Sequence, residues 1–272
     1  MAITLTYPEG CALVCGGTGR VGQGVVRRMA QTDVPTIFTY RSNKEAADAL
    51  EAELRAEGLK VWARQMDMES DASIDATIAF AQEQAGRLHS VLIPAGAPVP
   101  FNRIADFTTE EVETFFKGDG LAFFRVVQRV VPHYRKAGGG SFVLCTTFAN
   151  KRVIDFDGIS PFSKGAVEAL IRQIAAEEAP YNIRCNGVGI SVVIPATMEQ
   201  FMAMMPPDPG AGLDVTTPEQ MMCNLLNRVA GWLRSGRPAA PEEAGDLFAY
   251  LASNQASYVS GQIVIVDGAA AL

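Results

Sequence analysis

A lysine stands where a helical pattern places apolar side chains. Val167, Leu170 and Ile171 recur at helical spacing, and the same stripe extended backwards by one turn reaches Lys164. A cation at this position faces inward in the first turn of the predicted helix, where the helix dipole disfavours positive charge. Ser160 lies one further turn earlier. The two side chains are therefore candidates for a functional role, as a cation and a hydroxyl on one helix face.

A glycine-rich turn is the second candidate site. In "LVCGGTGRVGQG", Gly16, Gly19 and Gly22 form a GxxGxxG pattern directly after an apolar strand and at the start of a helix. Residues without a Cβ let the backbone approach a phosphate, and the helix N-terminus supplies free N–H groups and a favourable dipole. In this strand-to-helix context the pattern predicts a dinucleotide-binding site.

The residues after the second predicted strand indicate which dinucleotide is bound. A free ribose 2′-hydroxyl usually meets an acidic residue there, whereas a 2′-phosphate needs a cation. The strand ends "FTYRSN", so Arg41 and Ser42 occupy the place of the carboxylate, and no acidic residue follows before Glu45. Arg20 in the glycine turn can approach the same phosphate. The pattern favours NADP(H) over NAD(H).

The composition narrows the range of functions. A net charge of −7 over 272 residues argues against nucleic acid or an anionic membrane as a partner. We expect no transmembrane helix, because no apolar run is long enough, and no secretory signal, because the first residues lack a basic region before an apolar run. The five cysteines form no CxxC pair and only two histidines are present, so we expect reduced core thiols, no metal site and a cytoplasmic location.

These candidate sites are placed by a repeated alternation of apolar runs and helical segments. The predicted strands cover residues 11–16, 35–40, 60–67, 90–96, 141–147, 183–190 and 262–268. Strands that are apolar on both faces and alternate with helices indicate a parallel sheet covered on both sides. We therefore predict an α/β fold over residues 1–272: a single-domain, Rossmann-like, doubly wound sheet of about seven strands. The long segment 191–240, rich in Met and Pro, is predicted to be a substrate lid, with a surface insertion as the alternative.

The motifs together resemble the short-chain dehydrogenases/reductases, in particular the compact 3-oxoacyl-carrier-protein reductases. The segment "FTYRSNKEAADAL", the "PAGAP" at 94–98 and the C-terminal "SGQIVIVDG" resemble corresponding family motifs, and the resemblance covers nearly the whole chain. It implies cofactor binding by Gly16, Thr18, Gly19, Arg20, Val21, Gly22, Arg41, Ser42, Asp67, Met68, Ala95, Gly96, Lys164 and Val193.

The resemblance also implies where catalysis would take place, and the residues there depart from the family pattern. The family uses Asn, Ser, Tyr and Lys, with the last two spaced as YxxxK. Lys164 matches, whereas Asp119 stands at the Asn position, Thr147 at the Ser position and Ser160 at the Tyr position. In the family, Tyr transfers the proton, Lys binds the nicotinamide ribose and lowers the pKa of the Tyr, and Ser holds the carbonyl oxygen.

The replacement of Tyr by Ser160 is the most serious departure. A phenol with a pKa of about 10 can be shifted toward neutral pH by a neighbouring ammonium, but an aliphatic hydroxyl cannot and is also too short. Because Pro161 follows, Ser160 is predicted to cap the helix with proline at its first position. Lys151, Asp155 and Asp157 lie nearby and can supply an acid or base, but solvated loop charges are the favoured interpretation.

Three functions remain open at this point. The first is an NADP(H)-dependent oxidoreductase acting on a carbonyl or alcohol, with Lys164 and Thr147 retained and the proton supplied by water or substrate. The second is a catalytically weak or inactive NADP(H)-binding protein, acting as a sensor or partner subunit. The third is a non-redox dehydratase or isomerase. The methionines of the predicted lid suggest an apolar small-molecule substrate.

The helix that carries Lys164 also suggests an assembly. The resemblance implies a homo-oligomer, a dimer or tetramer, formed through this helix and the one before it. Gly165, Ala166 and Ala169 are small residues compatible with close helix packing.

Overall fold

The strands and helices follow the predicted alternation. The computed structural model describes residues 4–203 and 217–272. The strands are β1 Cys11–Val14, β2 Thr36–Tyr40, β3 Val61–Gln65, β4 Leu88–Ile93, β5 Gly140–Thr147, β6 Ile183–Ile190 and β7 Ile263–Val266. The helices are α1 Arg20–Ala30, α2 Lys44–Ala56, α3 Asp71–Ala85, α4 Thr109–Gly118, α5 Gly120–Ala137, α6 Ile159–Glu177, α7 Met198–Ala203, α8 Pro218–Trp232 and α9 Pro241–Ala252.

The strands form one parallel sheet in the order β3-β2-β1-β4-β5-β6-β7. The direction of winding reverses between β1 and β4, and open α/β sheets bind ligands outside the carboxyl ends of the strands at such a switch point. The glycine turn follows β1, so it lies at the predicted place. The predicted doubly wound α/β fold is confirmed.

Both faces of the sheet are covered because the strands are apolar on both sides. Val25, Leu54 and Phe248 bring α1, α2 and α9 onto one face, within one buried cluster. Ile78 and Phe123 place α3 and α5 on the other face, together with α6. The inner strands β1, β2, β4, β5 and β6 are thereby withdrawn from water over most of their length, whereas the edge strands β3 and β7 are partly exposed. None of the described helices is long and apolar enough to cross a membrane.

The sequence pattern of residues 109–135 predicts one continuous helix, but the structure breaks it at Asp119. Helix α4 ends at Gly118 and α5 begins at Gly120, and the backbone of Asp119 between them adopts φ −118° and ψ −94°. Gly118 and Gly120 flank Asp119, and glycine has a low helix propensity, so the helix is weak at this point. The break turns the Asp119 side chain into the interior, where it is fully buried.

Several local predictions can be compared with the structure. The sequence "TTEE" after Phe107 predicts a capping box from Thr108 to Glu111, and this box is confirmed at the start of α4. All five cysteines are buried free thiols. In the segment 191–240, α7 and α8 are described, whereas residues 204–216, which include most of the Met- and Pro-rich stretch, lie outside the described residues. The assignment of 191–240 as a lid stays a prediction.

Candidate active site

Two cavities share Pro94, Ala95 and Gly96, and the larger of these two lies along the glycine turn. It measures about 490 Å³, a size typical of ligand sites. Ten of the residues predicted to bind the cofactor line it: Gly16, Thr18, Gly19, Arg20, Val21, Arg41, Asp67, Met68, Ala95 and Gly96. They come from the ends of β1, β2, β3 and β4 and from the start of α1. Distant parts of the sequence meet here because the carboxyl ends of parallel strands share one edge of the sheet.

The glycine turn fits a phosphate-bearing dinucleotide. Gly16 has φ +82°, which side-chain-bearing residues rarely adopt, and a Cβ at Gly22 would lie 2.1 Å from the carbonyl oxygen of Gly16. Helix α1 starts directly behind this turn with no side-chain cap and no acidic residue in its first turn. Its first N–H groups therefore have no partner within the helix and are available to an anion.

The electrostatics at the end of β2 support a phosphate next to the turn. Arg41 is largely exposed, and its guanidinium lies 3.4 Å from the Glu69 carboxylate, which also faces Lys117 at 3.4 Å. Such exposed, long pairs contribute little and are easily exchanged for another anion. Arg20 lines the same cavity. Glu69 follows β3 and belongs to no motif, so its sequence position does not mark it as a site residue.

The smaller cavity, about 260 Å³, opens beside the first and shares Pro94, Ala95, Gly96 and Ala97 with it. All four predicted catalytic residues line it: Asp119, Thr147, Ser160 and Lys164. A Cβ at Gly96 would lie 3.2 Å from Asp119 Oδ1 and 3.4 Å from Lys164 Nζ. The glycine therefore keeps the junction of the two cavities open next to the ammonium group.

Lys164 is held by a buried ion pair. Its Nζ lies 2.7 Å from Asp119 Oδ1 and 4.1 Å from the centre of the Phe123 ring. Ser163 Oγ donates to the other carboxylate oxygen of Asp119 at 2.8 Å. Asp119 is completely buried and Lys164 is 7% exposed. Removing one partner of such a pair typically costs about 3–5 kcal/mol, because the other charge remains buried and uncompensated. The break between α4 and α5 thus explains in part how Lys164 can face inward, because the break brings the compensating carboxylate of Asp119 into the interior.

The two hydroxyls of the site differ in their surroundings. Thr147 Oγ1 accepts from the backbone N–H of Ala149 at 3.1 Å, which leaves its own O–H available as a donor. Ser160 is 7% exposed and was predicted to cap the helix, but this prediction is wrong. Helix α6 begins one residue earlier at Ile159, and its cap is Gly158 without a side-chain hydrogen bond. Ser160 is therefore a residue within the helix, and it lines the smaller cavity.

Asp157 is a further member of the site. It was interpreted from the sequence as a solvated loop charge, but it lines the smaller cavity, and its Oδ1 is buried without a hydrogen-bond partner. Burial raises the pKa of this carboxyl group from its ordinary value to about 7. Asp155 and Lys151 do not line the cavity, and Asp155 pairs with Arg228 of α8. Proximity to Ser160 in the sequence was the only signal for Asp157.

Three of the predicted cofactor residues lie outside both cavities. Gly22 packs beneath the turn, against Gly16 and Gly17. Ser42 lies beyond Arg41 on the surface, and Val193 is buried and bridges to Ala239. None of the described residues that line the two cavities is a tyrosine.

Comparison with known sequences places these features in a family. The family model described as enoyl-(acyl carrier protein) reductase matches residues 19–207. The chain is 24% identical to 1-cyclohexenylcarbonyl-CoA reductase of Streptomyces collinus over 259 residues, covering 94% of this chain and 85% of the other. It is 27% identical to dehydrogenase/reductase SDR family member 4 of Homo sapiens over 259 residues, covering 94% and 86%.

Solved structures share the fold. A short-chain dehydrogenase/reductase from Serratia marcescens superimposes with a TM-score of 0.81 at 22% identity, covering 99% of this chain and 100% of the other. A short-chain type dehydrogenase/reductase from Mycobacterium ulcerans also gives a TM-score of 0.81 at 22% identity, covering 98% and 91%. The glycine turn, the sheet order and the family match agree: the chain belongs to the short-chain dehydrogenase/reductase family.

Proposed function

We propose that this protein is an NADP(H)-dependent oxidoreductase that acts on a carbonyl or alcohol group. The observation that carries the proposal is the position of Lys164. Its ammonium group lies in the smaller cavity, at the junction with the larger cavity formed by the glycine turn. The turn at the start of α1 would hold the phosphates of a nicotinamide dinucleotide and Lys164 its ribose, and the cofactor would supply hydride chemistry to the smaller cavity.

The residues of the chain divide the work between the two cavities. The cofactor, when bound, supplies or accepts a hydride. The turn and Arg20 hold its phosphates, and Lys164 binds the ribose next to the nicotinamide. Thr147 donates a hydrogen bond to the substrate oxygen, since its own acceptor site already serves Ala149. Placing two reactants in this way contributes a large part of the rate even where a proton-transfer group is changed.

The preference for NADP(H) rests on the cations beside the turn. Arg41 and Arg20 both line the larger cavity. No acidic residue directly follows β2, where a carboxylate would recognise a free 2′-hydroxyl. Glu69 pairs with Arg41 only at 3.4 Å, so a 2′-phosphate can take its place as the partner of the guanidinium.

The walls of the smaller cavity favour an apolar substrate. Phe101, Phe115, Phe148, Leu225 and Val229 line it. Leu225 and Val229 belong to α8, so the segment after β6 supplies one wall, and we assign 191–240 the role of a substrate lid on this basis. The related enzymes carry names of different substrates, from a cyclohexenylcarbonyl-CoA to tropinone, so the wall chemistry is the better guide.

A second candidate function, cofactor binding without turnover, has one observation in its favour. The carboxylate of Asp119 neutralises Lys164, and none of the described residues lining the cavities is a tyrosine. A protein of this kind binds NADP(H) but reduces no carbonyl. Turnover therefore separates the two functions, whereas binding does not.

The test combines cofactor binding with turnover. We expect NADPH fluorescence to report binding that is tighter than NADH binding, and NADPH oxidation with at least one apolar ketone in a panel. In Arg41→Ala the loss of a charge-assisted hydrogen bond weakens NADPH binding about tenfold or more, with little change for NADH. Lys60→Ala, which removes an exposed cation outside the cavities, serves as the control. Equal affinity for both cofactors in the unaltered protein contradicts the NADP(H) assignment.

A further inference from the structure

The site lacks an obvious proton donor. The Ser160 hydroxyl does not ionise near neutral pH, and Lys164 is engaged by Asp119 at 2.7 Å. Thr147 can orient a carbonyl oxygen by a hydrogen bond but is no stronger an acid than Ser160. Reduction of a carbonyl nevertheless adds one proton to oxygen for each hydride added to carbon.

One carboxyl group in the same cavity has no structural partner. Asp157 lies in the last residues before α6, and its backbone N–H donates to the carbonyl of Ile154 at 3.3 Å. Its Oδ1 is buried and accepts no hydrogen bond, although buried polar atoms are almost always paired. A buried oxygen without a partner is costly for the fold, so its place in the cavity that Thr147, Ser160 and Lys164 also line needs a functional reason.

We infer that Asp157 is the proton donor of this site: its carboxyl group delivers a proton to the carbonyl oxygen of the substrate during reduction. The inference rests on the proposed oxidoreductase function and adds a catalytic residue to it. Asp157 precedes Ser160 by less than one helical turn, so it reaches the cavity from the same end of α6. The carboxyl group of Asp157, on the loop before α6, thereby takes the role of the tyrosine that the family pattern places at position 160.

The step balances. The carbonyl carbon gains a hydride from bound NADPH and is reduced to an alcohol carbon, while the nicotinamide is oxidised. The π electrons of the C=O bond move to oxygen, which forms an O–H bond as the O–H bond of Asp157 breaks. Asp157 is left as a carboxylate and regains a proton from water. In the direction of alcohol oxidation the same carboxylate accepts the proton.

The protonation state of Asp157 follows from the groups that surround it. Lys164 and Asp119 pair with each other, and Arg228 of α8 pairs with Asp155 rather than with Asp157. Among the described residues that line this cavity, the other titratable side chain is the buried thiol of Cys145.

Burial is therefore the cause of the raised pKa of the Asp157 carboxyl group. The apolar side chains of Phe148 and Ile154 line the same cavity. Burial raises the pKa of Asp157 to about 7, so that a protonated acid and its carboxylate are both present near neutral pH. This is the range in which a general acid works best.

The first arm of the test uses activity. Under single-turnover conditions with NADPH and an apolar ketone, we expect the rate of the unaltered protein to fall as the pH rises through about 7. In Asp157→Asn the rate falls about 100-fold or more and loses this pH dependence. Asp157→Glu, which keeps the acid, recovers part of the rate. Asp155→Asn, a matched change two residues away and outside the cavity, leaves the rate and its pH profile unchanged.

The second arm needs no turnover. Infrared difference spectra of the protein without cofactor should show a protonated carboxyl group that ionises near pH 7 and is missing in Asp157→Asn. NADPH affinity and the melting temperature should stay close to those of the unaltered protein in this isosteric variant. A carboxyl signal that ionises near pH 4, or an unchanged rate and pH profile in Asp157→Asn, overturns the inference alone. NADPH binding without reduction of any carbonyl by the unaltered protein overturns the proposed function and, with it, the role of Asp157.

Discussion

At the scale of single residues, the pairing of Lys164 with Asp119 changes what the lysine can do. In the family that the sequence resembles, the corresponding lysine lowers the pKa of a nearby phenol. Here a fully buried carboxylate lies 2.7 Å from the Lys164 ammonium group and compensates its charge. We propose that the two departures from the family pattern, Ser160 at the Tyr position and Asp119 at the Asn position, are linked, because without a phenol the lysine no longer needs an uncompensated charge.

This linkage predicts that two substitutions are needed to restore a tyrosine-dependent site. Ser160→Tyr alone places a phenol next to a compensated charge and gains little activity. Adding Asp119→Asn keeps an amide oxygen for the lysine but removes the negative charge, so the phenol ionises more readily. We expect ketone reduction by the double variant to exceed that of Ser160→Tyr about tenfold, the equivalent of one pKa unit.

The measurement is NADPH oxidation at several pH values, with melting temperatures to verify folding. Asp119→Asn alone is the matched control, because it changes the charge without providing the phenol. Equal rates for Ser160→Tyr and the double variant would show that Asp119 does not limit the site.

At the scale of elements, two turns position the site. The β1–α1 turn brings Gly16, Gly17 and Gly22 into close contact, so the backbone itself forms the floor of the larger cavity. The break between α4 and α5 carries Asp119 into the interior, where Ser163 and Lys164 of α6 hold it. If α4 and α5 formed one continuous helix, Asp119 would not turn into the interior, and Lys164 would lose its partner.

The role of the β1–α1 turn predicts an effect for a glycine that does not itself line the cavity. In Gly22→Ala the new Cβ would lie 2.1 Å from the Gly16 carbonyl oxygen, so the turn must shift. We expect the free energy of unfolding to fall by about 1–3 kcal/mol, as for other overpacked sites, and NADPH binding to weaken at least about tenfold.

Chemical denaturation and NADPH fluorescence measure the two effects. Gly231→Ala is the matched control, since a Cβ there meets open space on α8 and should leave both quantities nearly unchanged. Normal NADPH affinity in Gly22→Ala would mean that the turn can relax without moving the phosphate site.

At the scale of the whole molecule, helices α5 and α6 expose several large apolar side chains. Leu121 and Phe124 of α5 are 42% and 43% exposed, and Phe162 of α6 is 60% exposed. Gly165 is exposed on the same helix, with open space where a Cβ would be. Exposed apolar patches of this kind mark association sites. We propose that α5 and α6 form the homo-oligomer interface that the family resemblance implies.

This proposal predicts that a charge on the patch reduces the assembly. Phe124→Asp should lower the molar mass in solution from that of an oligomer toward the 29.1 kDa of one chain, since the carboxylate would be buried in the interface. The measurement is light scattering coupled to gel filtration. Tyr258→Asp, a change at a fully exposed aromatic residue outside α5 and α6, should leave the mass unaltered. An unchanged mass in Phe124→Asp would exclude this surface as the interface.

The fold and the cofactor cleft were accessible from the sequence because their determinants are local. Apolar runs define the strands, their alternation with helices requires a parallel sheet, and the glycine pattern marks the turn after β1. The four residues predicted to be catalytic do meet in one cavity, since motif spacing carries over from strand and helix geometry. Short-range patterns of this kind reflect the local backbone conformation, which the residues of each segment largely determine.

Other features depended on tertiary packing. The pairing of Asp119 with Lys164 joins the junction between α4 and α5 to α6, and the early start of α6 removed Ser160 from the predicted capping position. Asp157 looked like a solvated loop charge, because neither burial nor the absence of a hydrogen-bond partner can be inferred from its neighbours in the chain. The sequence by itself determined the fold and the residue types available for chemistry. Only the tertiary structure decided which charges are compensated and which carboxyl group is withdrawn from water, since both depend on contacts between segments far apart in the chain.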